Sequence, residues 1–197
     1  AVHPGYGFLS ENESFAKELA KQNIAFIGPY TEAIINMGDK IKSKKIAEKA
    51  GVNVIPGFTQ ALKDADQAVE VAKSIGYPVM LKASAGGGGK GMRVVNSDAE
   101  CRDGFERAQN ESRTSFGDDR VFAEKFITEP HHIEIQILAD GEGNTIYIGE
   151  RECSIQRRHQ KVIEESPSPF INEDTREKMG AQAVALAKAV NYQSAGT

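Results

Sequence analysis

Residues 79–95, VMLKASAGGGGKGMRVV, place four consecutive glycines between two apolar segments, and this stretch decides the fold. The segments VMLKA (79–83) and MRVVN (92–96) have the length and composition of buried strands. Glycine adopts positive φ without strain and lets backbone N–H groups approach a phosphate closely. Because four glycines in a row cost conformational entropy, a phosphate-binding loop is favoured over a merely flexible hairpin tip.

Two common phosphate-binding motifs do not fit this loop. A Walker A motif needs Ser or Thr after its lysine, but Gly91 follows Lys90. Gly86, Gly88 and Gly91 match G-x-G-x-x-G, yet a strand follows them where a dinucleotide-binding turn requires a helix. The sequence therefore predicts a glycine flap between antiparallel strands, a geometry suited to a lid over a triphosphate.

The segment before the flap predicts alternating strands and helices. Three helices are predicted there, with caps at Ser10 (in a capping box with Glu13), Thr31 and Asp39. The apolar segments IAFIG (24–28) and VNVIPGF (52–58) are predicted strands. This β-α-β-α order indicates an open α/β sheet.

The flap strands lie between two more predicted helices. These helices begin after Asp64 and Ser97, each of which forms a capping box with a residue three positions later. A third strand, VFAEKF (121–126), follows. The resulting α-β-β-α-β block is compact enough to form a lid subdomain over residues 54–126.

After Pro130 polar and apolar residues alternate strictly. In HIEIQI (132–137) the isoleucines face one side of the predicted strand, and His132, Glu134 and Gln136 face the other. A hairpin turn, a returning strand and an alanine-rich helix at about residues 173–190 follow. Because a polar face within a buried sheet usually lines a wet site, these three side chains are candidate site residues.

Two lysines are candidate ligands for an anion. Lys82 lies in an apolar strand, where a charge is costly unless paired, and a phosphate oxygen would be an apt partner. Lys40 follows Asp39 at a predicted helix start and could reach the same anion with help from the helix N-terminus. A solvated basic face is the alternative for Lys40, because KIKSKK (40–45) is mostly lysine.

The segment EKFI (124–127) could hold a purine base. Glu124 could accept from an exocyclic amine, the backbone from Lys125 onward could donate to the ring, and Phe126 and Ile127 could form apolar walls. An edge strand with alternating charges is an equally good interpretation of the same spacing.

A basic cluster, QRRHQK (156–161), follows the polar strand face. Its arginines, Lys161 and a histidine that titrates near neutrality could hold small anions such as bicarbonate or phosphate. A basic surface loop is the alternative. An RNA-binding patch is disfavoured, because no aromatic residues interleave with the cluster and Glu164 and Glu165 follow it.

Composition excludes several classes of protein. The chain of 197 residues has a formal net charge of −4, which gives no reason to expect a nucleic-acid partner. No window is apolar enough for a membrane span. Cys101 and Cys153 cannot form a disulfide framework. Neither has a second Cys or a His at the spacing typical of zinc ligands.

The whole chain resembles the biotin carboxylases, which have an ATP-grasp fold. The resemblance is carried, in order, by HPGYGFLSEN (3–12), FIGP (26–29), MGDK (37–40), GYPVMLKASAGGGGKGMR (76–93), EKFI (124–127), HIEIQIL (132–138), GNTIYIGERECSIQRRHQKVIEE (143–165) and SAGT (194–197). Further segments, among them TSFGDDR (114–120), resemble the α subunits of propionyl-CoA carboxylases more than other members. The resemblance divides the chain into the end of an N-terminal domain (1–53), the lid (54–126) and the first part of a C-terminal ATP-grasp subdomain (127–197).

The resemblance implies a reaction and its site. ATP and bicarbonate give carboxyphosphate and ADP, and biotin on a separate carrier domain is then carboxylated. ATP is expected on Lys40, Lys82, Gly86, Gly87, Gly88, Gly89, Glu124, Lys125, Phe126, Ile127, His132, Gln156 and His159. Bicarbonate and biotin are expected near Lys161, Tyr6 and Gly7, with Lys161 and His159 as the catalytic residues.

The same resemblance implies that the chain is an internal piece of a longer enzyme. The family's ligands for Mg²⁺ or Mn²⁺, its general base and a catalytic arginine are expected after Thr197, so no metal ligand is expected here and the isolated chain is expected to be unstable and inactive. Expected partners are the biotin carrier domain, a carboxyltransferase (β) subunit and further copies of the parent, in bacterial cytoplasm or mitochondrial matrix. The alternatives are another ATP-grasp ligase, such as one forming carbamoyl phosphate, or a non-catalytic nucleotide-binding segment.

Overall fold

A computed structural model describes residues 1–85, 90–157 and 160–197. The helices in these residues are α1 (Glu13–Lys21), α2 (Thr31–Gly38), α3 (Lys40–Lys49), α4 (Ala65–Ile75), α5 (Asp98–Phe116) and α6 (Glu173–Ala189). The strands are β1 (Gly57–Phe58), β2 (Val79–Ala83), β3 (Met92–Val95), β4 (Val121–Lys125), β5 (Ile133–Ala139), β6 (Thr145–Arg157), β7 (Gln160–Glu165) and β8 (Ser194–Gly196). None of these helices is long and apolar enough to cross a membrane.

The first sheet contains the strands on both sides of the predicted flap. Its order is β1-β4-β2-β3, and every pair is antiparallel. Val79 and Leu81 are fully buried in one core cluster with residues of α4 and α5, while the alternate residues of β2 face the other way. The prediction of paired antiparallel strands around the glycines is confirmed, and β2 has the predicted bounds.

The second sheet has the order β7-β6-β5-β8 and is also antiparallel. Helix α6 packs across β5 and β6. The predicted alternation in β5 is confirmed, because Ile135 and Ile137 are buried on one face while the polar side chains point to the other. The hairpin at residues 140–144 is closed by Asp140, whose carboxylate accepts from the N–H groups of Glu142 and Asn144.

Several predicted helix caps are confirmed and two are wrong. Side-chain caps are found at Asp39, Asp64 and Ser97. Helix α1 is capped by Asn12 rather than Ser10, because the Asn12 side chain accepts from the Phe15 N–H while the Ser10 hydroxyl donates to the carbonyl of Gly7. Thr31 is the first residue of α2 and does not cap it.

The predicted strand at residues 24–28 is reduced to one isolated bridge. Phe26 pairs in parallel with Val2, whose N–H donates to the carbonyl of Ala25. Within the described ranges Val2 is the residue that pairs with this segment, so no longer ladder forms.

The predicted strand at residues 52–58 is also shorter than expected, since only Gly57 and Phe58 pair with β4. The backbone groups before them are used elsewhere. The Asn53 N–H donates to the side chain of Gln182, and the carbonyl of Ile55 accepts from Lys44. A tertiary hydrogen bond and an ammonium group therefore replace the expected strand partners.

Candidate functional site

A buried carboxylate holds two lysines on the outer face of the first sheet. Glu124 of β4 is about 6% exposed and forms ion pairs with Lys82 of β2 and with Lys44 of α3. The Lys44 Nζ lies 2.9 Å from Glu124 Oε2 and also 3.0 Å from the carbonyl oxygen of Ile55. The charge predicted to need a partner at Lys82 therefore finds one within the protein.

The strand register explains why these groups meet. Met80 opposes Glu124 across the β2–β4 pair, so Lys82 lies one diagonal step away on the same face. Helix α3 reaches this face through Lys44, whose ammonium lies 5.7 Å from the centre of the Phe122 ring. Lys44 was not among the predicted site residues, although its spacing of one helical turn from Lys40 places both on one side of α3.

Lys40 is fixed at the start of α3 beside the end of β2. Its N–H donates to the carbonyl of Ser84 at 3.2 Å, and the Ser84 hydroxyl donates to Asp39 at 3.0 Å. Arg120 forms a further ion pair with Asp39 at 2.9 Å. Burial and the neighbouring Lys82 ammonium lower the pKa of Lys40, and the charges of Asp39 and Glu11 offset part of this effect.

The predicted base-binding segment is partly committed to internal contacts. The Lys125 N–H donates to Pro56, and its ammonium donates to the carbonyls of Gly76 and Tyr77 at 2.7 and 3.0 Å. The Phe126 N–H donates to Pro78. The Lys125 side chain therefore ties β4 to the end of α4, and the expectation that its N–H donates to a bound ring does not fit its pairing with Pro56.

A second carboxylate gathers polar side chains of the second sheet. Glu134 accepts from Lys161 of β7 and from His132 Nε2 at 2.9 Å through one oxygen, and from Arg151 at 2.8 Å through the other. Burial alone would raise the pKa of Glu134, but the hydrogen bonds from Lys161 and His132 hold it below its ordinary value. Gln156 extends the cluster, because its amide lies 3.0 Å from His132 Nδ1.

This carboxylate cluster unites residues that the sequence singled out separately. Glu134 and Gln136 come from the polar face of β5 and His132 directly precedes that strand, while Gln156 and Lys161 come from the basic segment. Hairpin pairing of β6 with β7 places Gln156 opposite Lys161. The predictions on His159 and on Gly86, Gly87, Gly88 and Gly89 lie outside the described residues.

Tyr6 and Gly7 belong to the N-terminal segment that precedes α1. Tyr6 is 98% exposed and lines an open cleft of about 650 Å³ between the N-terminal segment and α6. The cleft walls include neither Lys161 nor His132. Among the described residues, nothing joins Tyr6 to the polar cluster on Glu134.

Among the described residues, one group of three donor side chains lies close enough together to hold a metal ion, and it does not suit magnesium. Glu134, Cys153 and Glu164 bring three donor atoms within 4.8 Å of one another. Mg²⁺ prefers oxygen ligands in an octahedral arrangement, which a thiol does not supply. Both carboxylates are already paired with Arg151, at 2.8 and 3.0 Å.

Comparison with known protein families agrees with this geometry. Residues 39–197 match the family described as "Carbamoyl-phosphate synthase L chain, ATP binding domain". Residues 1–34 match "Biotin carboxylase, N-terminal domain". Because the first match covers most of the chain, the chain belongs to this family of ATP-binding domains.

Individual relatives narrow the assignment. The chain is 64% identical over its whole length to the propionyl-CoA carboxylase alpha chain of Ruegeria pomeroyi and 65% identical to the mitochondrial one of Sus scrofa. It covers 29% and 27% of those proteins. Within the family, the chain is part of a biotin carboxylase domain, and it spans less than a third of the length of these relatives.

Solved structures confirm the ATP-grasp fold class. A biotin carboxylase of Campylobacter jejuni, solved as a β,γ-ATP complex, has a TM-score of 0.95 and 51% identity over 98% of this chain and 43% of its own. The biotin carboxylase domain dimer of Hydrogenobacter thermophilus 2-oxoglutarate carboxylase, solved with MgADP, ADP and bicarbonate, has a TM-score of 0.94 and 49% identity with the same coverage.

Proposed function

We propose that the parent of this chain carboxylates carrier-bound biotin, using ATP and bicarbonate, as the first half-reaction of an acyl-CoA carboxylase whose substrate is propionyl-CoA. The observation that carries the proposal is the cluster on Glu134. It collects Gln156 of β6, Lys161 of β7 and His132, which directly precedes β5. A polar, partly buried face with a fixed ammonium group suits a small planar anion such as bicarbonate.

ATP would bind where ammonium groups gather beside the first sheet. Those of Lys40, Lys44 and Lys82 lie in this region, where Glu124 pairs with the last two and Asp39 and Glu11 act on Lys40. Ammonium groups held close together favour a polyphosphate, and burial strengthens the attraction relative to water. The glycines of residues 86–89 would add backbone N–H donors to the phosphates.

The adenine would lie against the segment that follows β4. Since the N–H groups of Lys125 and Phe126 are used within the protein, Ile127 is assigned the backbone contacts to the base, with the Phe126 and Ile127 side chains as apolar walls. Glu124 would accept from the exocyclic amine or position Lys82. His132 and Gln156 would lie toward the ribose.

Carboxyl transfer is assigned to the second sheet. Lys161 would hold bicarbonate or the carboxyl group in transfer, and His159 would assist it. Tyr6 and Gly7 would contribute to the biotin side from the N-terminal segment. Residues from the remainder of the parent would hold the metal ion, which would supply neutralisation of the phosphate charge when bound.

The parent is proposed to work with the partners that this chemistry requires. These are a biotin carrier domain, a carboxyltransferase subunit and a second copy of the parent, in bacterial cytoplasm or mitochondrial matrix. The named alpha chains of bacterial and mitochondrial relatives and the dimer of the Hydrogenobacter domain support this.

Two separate sheets support division of the chain into subdomains at residues 54–126 and 127–197. The match of residues 1–34 favours this function over carbamoyl phosphate formation.

The experiment is a Lys82→Gln substitution in the full-length parent. Loss of a charged hydrogen bond to phosphate costs about 1.5–3 kcal/mol, so the Kd for ATP is expected to rise about tenfold to 150-fold. The matched control is Lys73→Gln, since Lys73 is an exposed lysine on α4 paired with Asp98. Unchanged ATP affinity in Lys82→Gln, or a wild-type parent that hydrolyses ATP independently of bicarbonate, would refute the proposal.

A further inference from the structure

Arg151 connects the three long strands of the second sheet through one side chain. Its guanidinium donates to Glu134 and Gln136 of β5 at 2.8 and 2.7 Å. It also donates to Glu164 of β7 at 3.0 Å. A planar guanidinium presents donors in a fixed fork, so these contacts set one orientation for the group.

The backbone register supports this arrangement. Arg151 lies directly opposite Glu134 across the β5–β6 pair. Opposed residues in an antiparallel pair hold their side chains close together, so little side-chain entropy is lost when they bond. The Arg151 side chain is about 30% exposed and that of Glu134 about 12%, so solvent screens the contact only partly.

The two carboxylate oxygens of Glu134 have different partners. Oε2 faces Arg151, while Oε1 faces both Lys161 and His132. Arg151 therefore fixes the rotation of the carboxylate through Oε2, and this rotation determines where Oε1 holds Lys161 and His132. Without its guanidinium partner, Glu134 would be held through Oε1 alone.

Charge leads to the same conclusion. Two cations, Arg151 and Lys161, balance two anions, Glu134 and Glu164, in this cluster. Removal of the Arg151 charge leaves Lys161 with two neighbouring carboxylates. The ammonium would be drawn to the protein carboxylates and away from an incoming anion.

We propose that Arg151 is a positioning residue: it orients Glu134, and through it Lys161, for the anion bound on this face. The inference rests on the proposed function of the site. Arg151 itself is assigned no contact with substrate, so its replacement changes the use of bicarbonate more than the binding of ATP.

The experiment compares Arg151→Met and Arg151→Lys in the full-length holoenzyme. The readouts are kcat and the KM values for bicarbonate and ATP in bicarbonate-dependent ATP hydrolysis. Arg151→Met is expected to lower kcat/KM for bicarbonate about 10- to 100-fold, as supporting groups of a site commonly do, with the KM for ATP within about twofold of wild type. Arg151→Lys is expected to recover part of the loss, because it keeps the charge but cannot reach all three acceptors.

The control separates positioning from stability. Arg176→Lys alters an arginine that contacts Glu150, the neighbour of Arg151 in sequence, at 2.8 and 2.9 Å. Its loss of thermal stability is expected without a change in the KM for bicarbonate. An active parent whose Arg151→Met variant keeps wild-type bicarbonate kinetics, or loses kcat/KM only as much as Arg176→Lys at an equal melting temperature, would overturn this inference alone. A wild-type parent without bicarbonate-dependent hydrolysis would overturn the proposed function and this inference together.

Discussion

Replacing Lys44 with methionine isolates the contribution of one buried ammonium group. Lys44 is about 13% exposed, and its Nζ donates to Glu124 at 2.9 Å and to the carbonyl of Ile55 at 3.0 Å. Methionine keeps most of the apolar stem but neither bond. Loss of one partner of a buried ion pair costs about 3–5 kcal/mol when the other charge is stranded. Because Lys82 still pairs with Glu124, the smaller cost of a charged hydrogen bond applies, about 1.5–3 kcal/mol.

Hydrogen exchange measured by mass spectrometry on the full-length parent would test this value. Peptides that cover β4 report the free energy of its local opening. A loss of about 1.5–3 kcal/mol corresponds to exchange about tenfold to 150-fold faster. The control is Lys17→Met, which removes an exposed pair with Glu13 worth at most about 0.5 kcal/mol. Exchange in β4 within twofold of wild type, or equal acceleration in both variants, would show that Lys44 does not stabilise the sheet.

Two further substitutions test packing and charge at other positions. Gly180→Ala is expected to destabilise the parent by about 1–3 kcal/mol, because the added Cβ would lie 2.6 Å from the Tyr147 ring. The control, Gly38→Ala, adds a Cβ that meets nothing within 4 Å and is expected to be neutral or stabilising. Equal melting temperatures for the two variants would contradict this prediction. Asp39→Asn is expected to flatten the acid side of the stability profile. Burial alone would raise the pKa of Asp39, but its hydrogen bonds from the Lys42 N–H and Arg120 lower it, so its contribution is present above the unfolded pKa and is lost as pH falls through the folded pKa. The melting temperatures of the wild-type parent and of Asp39→Asn between pH 3 and pH 6 test this prediction. Parallel curves of melting temperature against pH would refute it.

Local signals predicted the fold best where side chains bond to their own backbone neighbours. Asp64 and Ser97 cap their helices as expected, since a cap depends on residues three positions away. The strand predicted at residues 52–58 forms only at its end, because the backbone before Gly57 bonds to the side chains of Gln182 and Lys44. Gln182 is distant in sequence, and Lys44 lies on a helix. Apolar composition alone does not reveal that such partners replace a strand.

The candidate site was only partly visible in the sequence for a related reason. A lysine among strand apolars indicated that Lys82 needs a partner, but not that Glu124 supplies it across the sheet. Lys44 lies in a lysine-rich segment, where only its position around the helix distinguishes a buried lysine from exposed ones. The sequence therefore did not single it out. Arg151 carried no signal, because its importance depends on strand register, which pairs β5 with β6.

Both parts of the candidate site share one electrostatic design. Each places a carboxylate between two cations, Glu124 between Lys44 and Lys82, and Glu134 between Arg151 and Lys161. Cations gathered for an anion repel one another before the anion arrives, and a shared carboxylate offsets that repulsion while it fixes their positions. The cost is competition, because the carboxylate occupies the cations that the substrate must use. An anion site of this kind is therefore better indicated by an acidic residue within a strand than by the lysines around it.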